Sequence, residues 1–148
     1  MTSRTVAKKL AELALSKKAT DVILMDLRKL NGPADFFVLC STDSDTQVKA
    51  VAEGIRRGSE ELGVRMWHSE GLRALSWVLL DFVDVVVHVF HREARGFYAI
   101  ERLWSDATIT NVEDTPDGTF FEVERAPKAK RAPAKKKKPG KSKKTRKP

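Results

Sequence analysis

Two apolar runs stand almost end to end in the middle of the sequence, Trp77-Val78-Leu79-Leu80-Asp81 and Asp84-Val85-Val86-Val87-His88-Val89-Phe90. Branched and aromatic residues favour the pleated backbone. With only Phe82-Val83 between the runs, a tight antiparallel hairpin is expected.

Further elements fall on either side of it. Thr5 to Lys18 carries Val6, Leu10, Leu13 and Ala14 on one helical face and ends in a basic turn that suits the helix dipole. Val22-Ile23-Leu24-Met25 and Phe36-Phe37-Val38-Leu39-Cys40, separated by the turn signal Asn31-Gly32-Pro33, predict two neighbouring strands. Ser44-Asp45-Thr46-Gln47 fits a capping box, and Val48, Val51, Ala52, Ile55, Ser59 and Leu62 follow at helical spacing up to Gly63.

Val64 to Glu70 alternates, with Val64, Met66, His68 and Glu70 on one side, which predicts a third strand. A last helix starts near Arg92 and takes in Ala94, Phe97, Tyr98, Glu101 and Trp104. The order implies an α/β domain with a mixed five-stranded sheet and flanking helices that cover at least one face. Thr115-Pro116-Asp117-Gly118, between Ile109–Val112 and Phe120–Val123, admits a small extra hairpin. The chain thus divides into a folded domain over 1–107, an extension over 108–125 and a tail over 126–148.

Charge follows the same division. Of 28 Lys and Arg in the 148 residues, twelve lie after Arg125, where there is no acid; the remaining 16 face all 20 Asp and Glu, so the body carries a net −4. Affinity for nucleic acid comes from clustered cations that displace counterions, so the body is not a simple nucleic-acid-binding domain. The tail has no aromatic or branched aliphatic residue to repay ordering entropy and is expected to be disordered. Its run Lys135, Lys136, Lys137 and Lys138 is the candidate contact to RNA, set against a merely solubilising arm.

A single cysteine, Cys40, forms no internal disulfide and suits a reducing, cytoplasmic setting. The first 18 residues lack the continuous apolar run of a signal peptide or membrane span, so no membrane association is expected. There is no G-x-G-x-x-G after a strand and no Walker lysine motif. His68, His88 and His91 have no zinc-site spacing, and His88 reads as a structural histidine. Cys40, ending an apolar strand, reads as core.

Asp43, Asp45, Asp81 and Asp84 are the carboxylates that an enzymatic alternative, magnesium-dependent nucleotidyl transfer, would use. Helix-start and turn roles explain them as well, and Cys40-Ser41-Thr42 supplies no glycine-serine loop. No cofactor is expected. Gly54 and Gly58, four apart on the second helix, are expected to pack against the sheet rather than to make a close helix-helix contact.

Ser76 to Phe82, Asp84 to Phe90 and Ala94 to Ala107, with Ala34 to Ser41 and Glu70-Gly71 upstream, closely resemble the ribosomal silencing factor, or Iojap-like, family in consistent order over residues 5 to 107. One departure is Val83, where such proteins commonly carry glycine, and a β-branched residue disfavours the positive φ of the usual turn. The resemblance implies a nucleotidyltransferase-like fold without its catalytic set. It also implies binding to the large ribosomal subunit through its fourteenth protein, which blocks small-subunit joining and lowers translation when nutrients are scarce. Homodimerisation is a further implied state.

A mildly acidic body suits a basic ribosomal protein better than bare phosphate. Alternation places Trp77, Leu79 and Asp81 on one face of their strand and Asp84, Val86, His88 and Phe90 on one face of the next, with Met66, His68 and Glu70 joining if the third strand lies alongside. This acidic-aromatic face is the expected partner-binding surface, against packing of Trp77 or Met66 beneath a helix. Tyr98, Glu101 and Trp104 are expected to form the packing face of the last helix.

Overall fold

The computed structural model describes residues 1–125, so the expected disorder of the tail and the role of Lys135 to Lys138 lie outside the described residues. The first helix, α1 (Ser3–Ser16), starts where Thr2 Oγ1 accepts the Thr5 N–H at 3.1 Å. It is followed by β1 (Thr20–Asp26), a 3-10 turn at Arg28–Leu30 and β2 (Phe36–Thr42). Every residue of β2 is buried, as its unbroken apolar run requires of a strand covered on both faces.

Ser44 caps α2 (Asp45–Glu61) by accepting the Gln47 N–H at 3.1 Å. Gln47 reaches back to the N–H of Asp43, one residue beyond a standard capping box. Then come β3 (His68–Glu70), β4 (Trp77–Asp81), β5 (Val85–His91), α3 (Arg92–Tyr98), α4 (Ile100–Leu103), β6 (Thr108–Thr115) and β7 (Gly118–Arg125).

The strands form one sheet in the order β3-β4-β5-β2-β1-β6-β7, parallel only between β2 and β5 and antiparallel elsewhere. The expected five strands become seven because the hairpin over 108–125 forms and pairs through β6 with β1. One face of the sheet carries Val22, Leu24, Val38, Cys40, Val87 and Val89 and is covered by α1 and α2. The opposite face carries Ile23, Met25, Phe37, Leu39 and Phe90, packed against Ile100 and Trp104. Cys40 is fully buried, and that burial pushes its thiol up to about 12, which removes it as a nucleophile.

Four expectations change. Gly54 and Gly58 face α1 rather than the sheet: a Cβ on Gly54 would lie 2.5 Å from Lys17 Cγ, and one on Gly58 would collide with the Leu13 side chain. The third strand shrinks from 64–70 to His68–Glu70, because β4 ends at Asp81 and leaves the preceding residues no ladder beyond the Trp67 N–H, which donates to Asp81 O at 2.7 Å.

The single last helix is broken at Ala99, whose φ of +49° turns the chain so that Ile100 and Trp104 reach the sheet. At the β4–β5 turn, Val83 does take a positive φ, +75°, held by its N–H donating to Asp81 Oδ1 at 2.7 Å.

Candidate docking face

Residues opposite each other in a ladder share a face, so the registers assemble the site in rows. His68, Asp81, Val86 and Phe37 form one row, Glu70, Leu79, His88 and Leu39 the next, and Trp77 and Phe90 the third. Of the eight expected partner-binding residues, seven therefore lie on one face: His68, Glu70, Trp77, Leu79, Asp81, His88 and Phe90.

Met66 is the exception and packs against the α1–α2 side. Period-two alternation holds only while a strand is in a ladder, and Met66 precedes it.

Depth divides the seven. Phe90 is fully buried and His88 is 3% exposed, so neither meets a partner directly, contrary to expectation; they lie beneath Trp77 and Leu79, which are half-buried. Trp77 stacks on Phe90 with ring centroids 5.1 Å apart and is overlaid by Tyr98 at 4.6 Å. Its Nε1 donates to His88 Nδ1 at 3.0 Å. His88 in turn meets the Phe37 ring edge-on at 4.5 Å. Burial pushes the imidazole down to about 4, so it is neutral at neutral pH and can accept from Trp77.

Three aromatic contacts and one hydrogen bond thus fix the indole, a large amphipathic group, at the edge of the covered part of this face. Partial burial with a fixed pose is the arrangement that gives an interface anchor most of its binding energy.

The broken helix frames one side. Trp104 packs edge-on against Phe37 at 6.3 Å, as expected. Glu101 accepts from Arg95 Nε at 3.0 Å, and Arg95 also donates to Ser41 Oγ at 2.9 Å and to the Asp21 carbonyl, tying α3 to the ends of β1 and β2. Tyr98 packs on Trp77 yet stays exposed, edge-on to Phe97, which is 81% exposed; Leu103 in α4 is exposed as well.

Sequence reading missed Phe97 and Leu103 as surface groups. Phe97 and Tyr98 are adjacent on a helix, and two neighbours about 100° apart do not both point into one shallow core; that was the available signal. Large apolar side chains clustered at the surface mark interaction sites. Carboxylates of Glu70 and Asp81 stand at the other side, where His68 Nε2 meets Glu70 Oε2 at 2.9 Å and Nδ1 lies 3.8 Å from Asp81 Oδ2.

The carboxylates of the enzymatic alternative do not converge. Asp43 and Asp45 follow the end of β2, whereas Asp84 precedes β5 and Asp81 pairs with its second residue. The two strands run parallel for seven residues, about 20 Å. Asp43 accepts from Arg92 Nε at 2.8 Å, and Asp45 occupies the first turn of α2. Among the described residues no three His, Cys, Asp or Glu side chains form a metal cage, and no helix is long and apolar enough to cross a membrane.

Comparison with known proteins places this geometry. A family model described as ribosomal silencing factor during starvation matches residues 1–147. The ribosomal silencing factor RsfS of Bacillus subtilis is 36% identical over 113 residues, covering 76% of this chain and 96% of that protein. The chloroplastic protein Iojap of Zea mays is 35% identical over 99 residues, covering 67% of this chain and 43% of that one. A crystal structure of a Chromobacterium violaceum protein superposes with a TM-score of 0.69 at 36% identity, covering 71% of this chain and 88% of that one.

Proposed function

Since the chain belongs to the ribosomal silencing factor family, we propose that it docks on the large ribosomal subunit through that subunit's fourteenth protein and represses translation by occupying the surface on which the small subunit must land. The family role is regulatory rather than catalytic, and steric exclusion needs no reacting group. Repression belongs to nutrient limitation, when idle subunits are kept apart, and the setting is the cytoplasm.

The observation that carries this reading is Trp77, half-exposed and locked by Phe90, Tyr98 and His88 on a face that its own helices cover only in part. Trp77 and Leu79 are the apolar centre, with Tyr98 and Phe97 beside Trp77, while Glu70 and Asp81 provide a carboxylate side that favours a basic protein over RNA. His88 and Phe90 act as supports. The cationic tail, Lys135 to Lys138 in particular, adds contacts to ribosomal RNA. A homodimer that uses the same face competes with the ribosome complex.

Sucrose-gradient sedimentation of purified subunits tests the reading. Excess protein should leave separate subunits in place of joined ribosomes, and Trp77→Ala should restore joining. Unchanged joining with excess wild-type protein sinks it.

A further inference from the structure

At the far end of β4 from Trp77, the β4–β5 turn and the approach to β3 leave two apolar side chains in solvent, where the core gains nothing from them. Trp67 is 69% exposed and Val83 58%. Trp67 is held in place: its N–H donates to Asp81 O, and its ring stands edge-on to His68 at 4.5 Å. Val83 occupies a backbone region that a β-branched residue disfavours, fixed there by the Asp81 carboxylate. Glycine would fill that position without strain. A strained residue that presents an apolar surface to water points to a use outside the fold.

Pro33, Trp67, Asp81 and Val83 line a depression of about 300 Å³ between them. Its walls are apolar, its one charge is the partly exposed Asp81 carboxylate, and exposed Asp84 stands beside it. No lysine or arginine is among these lining residues.

We propose that this depression is a socket for an arginine side chain carried by a loop of the basic protein partner. Val83 and Pro33 flank the methylene stem, the guanidinium lies on the Trp67 ring, and Asp81 pairs with its charge. A planar, weakly hydrated cation on a long apolar stem fits such walls better than a lysine ammonium does. Phosphate is repelled by the same carboxylates, which excludes RNA as the occupant. The inference rests on the docking reading above and extends it, because Asp81 belongs both to the docking face and to the socket.

Co-sedimentation of the full chain with purified large subunits tests it, together with N-bromosuccinimide oxidation of Trp67 read by mass spectrometry. Trp67→Ala should weaken co-sedimentation about tenfold. Val83→Gly should weaken it while leaving Tm unchanged or higher, a pairing that a purely structural role does not produce. Trp67 in the wild-type chain should be oxidised when free and protected on the large subunit, but not by naked ribosomal RNA.

Wild-type binding with Trp67 still oxidised, full binding by Trp67→Ala and Val83→Gly, or protection by RNA alone overturns the socket and leaves the Trp77 face standing. Failure of the wild-type chain to co-sediment overturns both.

Discussion

The indole N–H of Trp77 donates to Nδ1 of His88 at 3.0 Å, diagonally across the β4–β5 pair. Because Nδ1 accepts, the neutral ring carries its proton on Nε2, a buried atom with no hydrogen-bond partner among the described residues. The pair is therefore asymmetric: His88 orients the indole, and Trp77 shields the imidazole from water. Both effects end when His88 is protonated, since Nδ1 then becomes a donor facing a donor.

This fixes the sign of a pH dependence. Burial holds His88 at about 4 in the folded chain, against 6.5 for an ordinary histidine. Between those values the unfolded chain binds a proton that the folded chain refuses, so the His88 contribution is full above the upper value and falls as pH drops towards the lower one. The loss amounts to about 3 kcal/mol. Urea unfolding of the wild type and His88→Gln, which keeps an acceptor but does not titrate, should diverge over that window, with the wild type losing more on acidification. Parallel curves would contradict the assignment.

Trp77 separates anchoring from orientation. Trp77→Phe keeps an aromatic ring on Phe90 and beneath Tyr98 but removes the N–H, leaving His88 Nδ1 unpaired at a cost of about 1–3 kcal/mol. Trp77→Ala also removes the surface offered to the partner. Calorimetric melting should therefore find both variants destabilised, while co-sedimentation with large subunits should fall by more than about tenfold for Trp77→Ala and by less for Trp77→Phe. Equal binding losses would mean that the hydrogen bond, and not the ring, makes the interface.

Away from the docking face, Gly58 sets how closely α1 and α2 approach. Alanine is the better helix former by about 1 kcal/mol, yet its Cβ at this position runs into the Leu13 side chain. Overpacking of this kind costs about 1–3 kcal/mol, so Gly58→Ala should lower stability on balance. Combined with Leu13→Ala, which empties the space, it should cost less than the sum of the two single changes in denaturant unfolding. Additive losses would show that the glycine is not there for α1.

The same contact marks where sequence reading ran out. The apolar runs at Val22–Met25, Phe36–Cys40 and Trp77–Phe90 declare strands because period and residue type are local properties, and with them came the rows of the candidate docking face. Which surface Gly54 and Gly58 meet is set by where α1 lies, a non-local fact. The pairing of β6 with β1, more than eighty residues apart, was hidden for the same reason.

Ala99 gave no warning of its left-handed turn because alanine favours helix. Continuing the helical spacing through it merged two short helices into one. Met66 failed for the reverse reason: its alternation was real in sequence but had no partner strand to give it meaning.

The tail makes a prediction about salt rather than geometry. Twelve cations without an acid in 126–148 bind phosphate by releasing counterions, a contribution that fades as salt rises. The aromatic face, by contrast, depends on apolar burial and short-range pairing, which salt screens far less. Deleting Ala126 to Pro148 should therefore weaken large-subunit binding chiefly at low salt.

The two proteins should converge as salt increases. If Lys135 to Lys138 each meet a phosphate, the slope of log affinity against log salt should shrink by about 3 to 4 on deletion. A truncated chain that fails to bind the isolated fourteenth protein at any salt would move recognition from the Trp77 face to the tail.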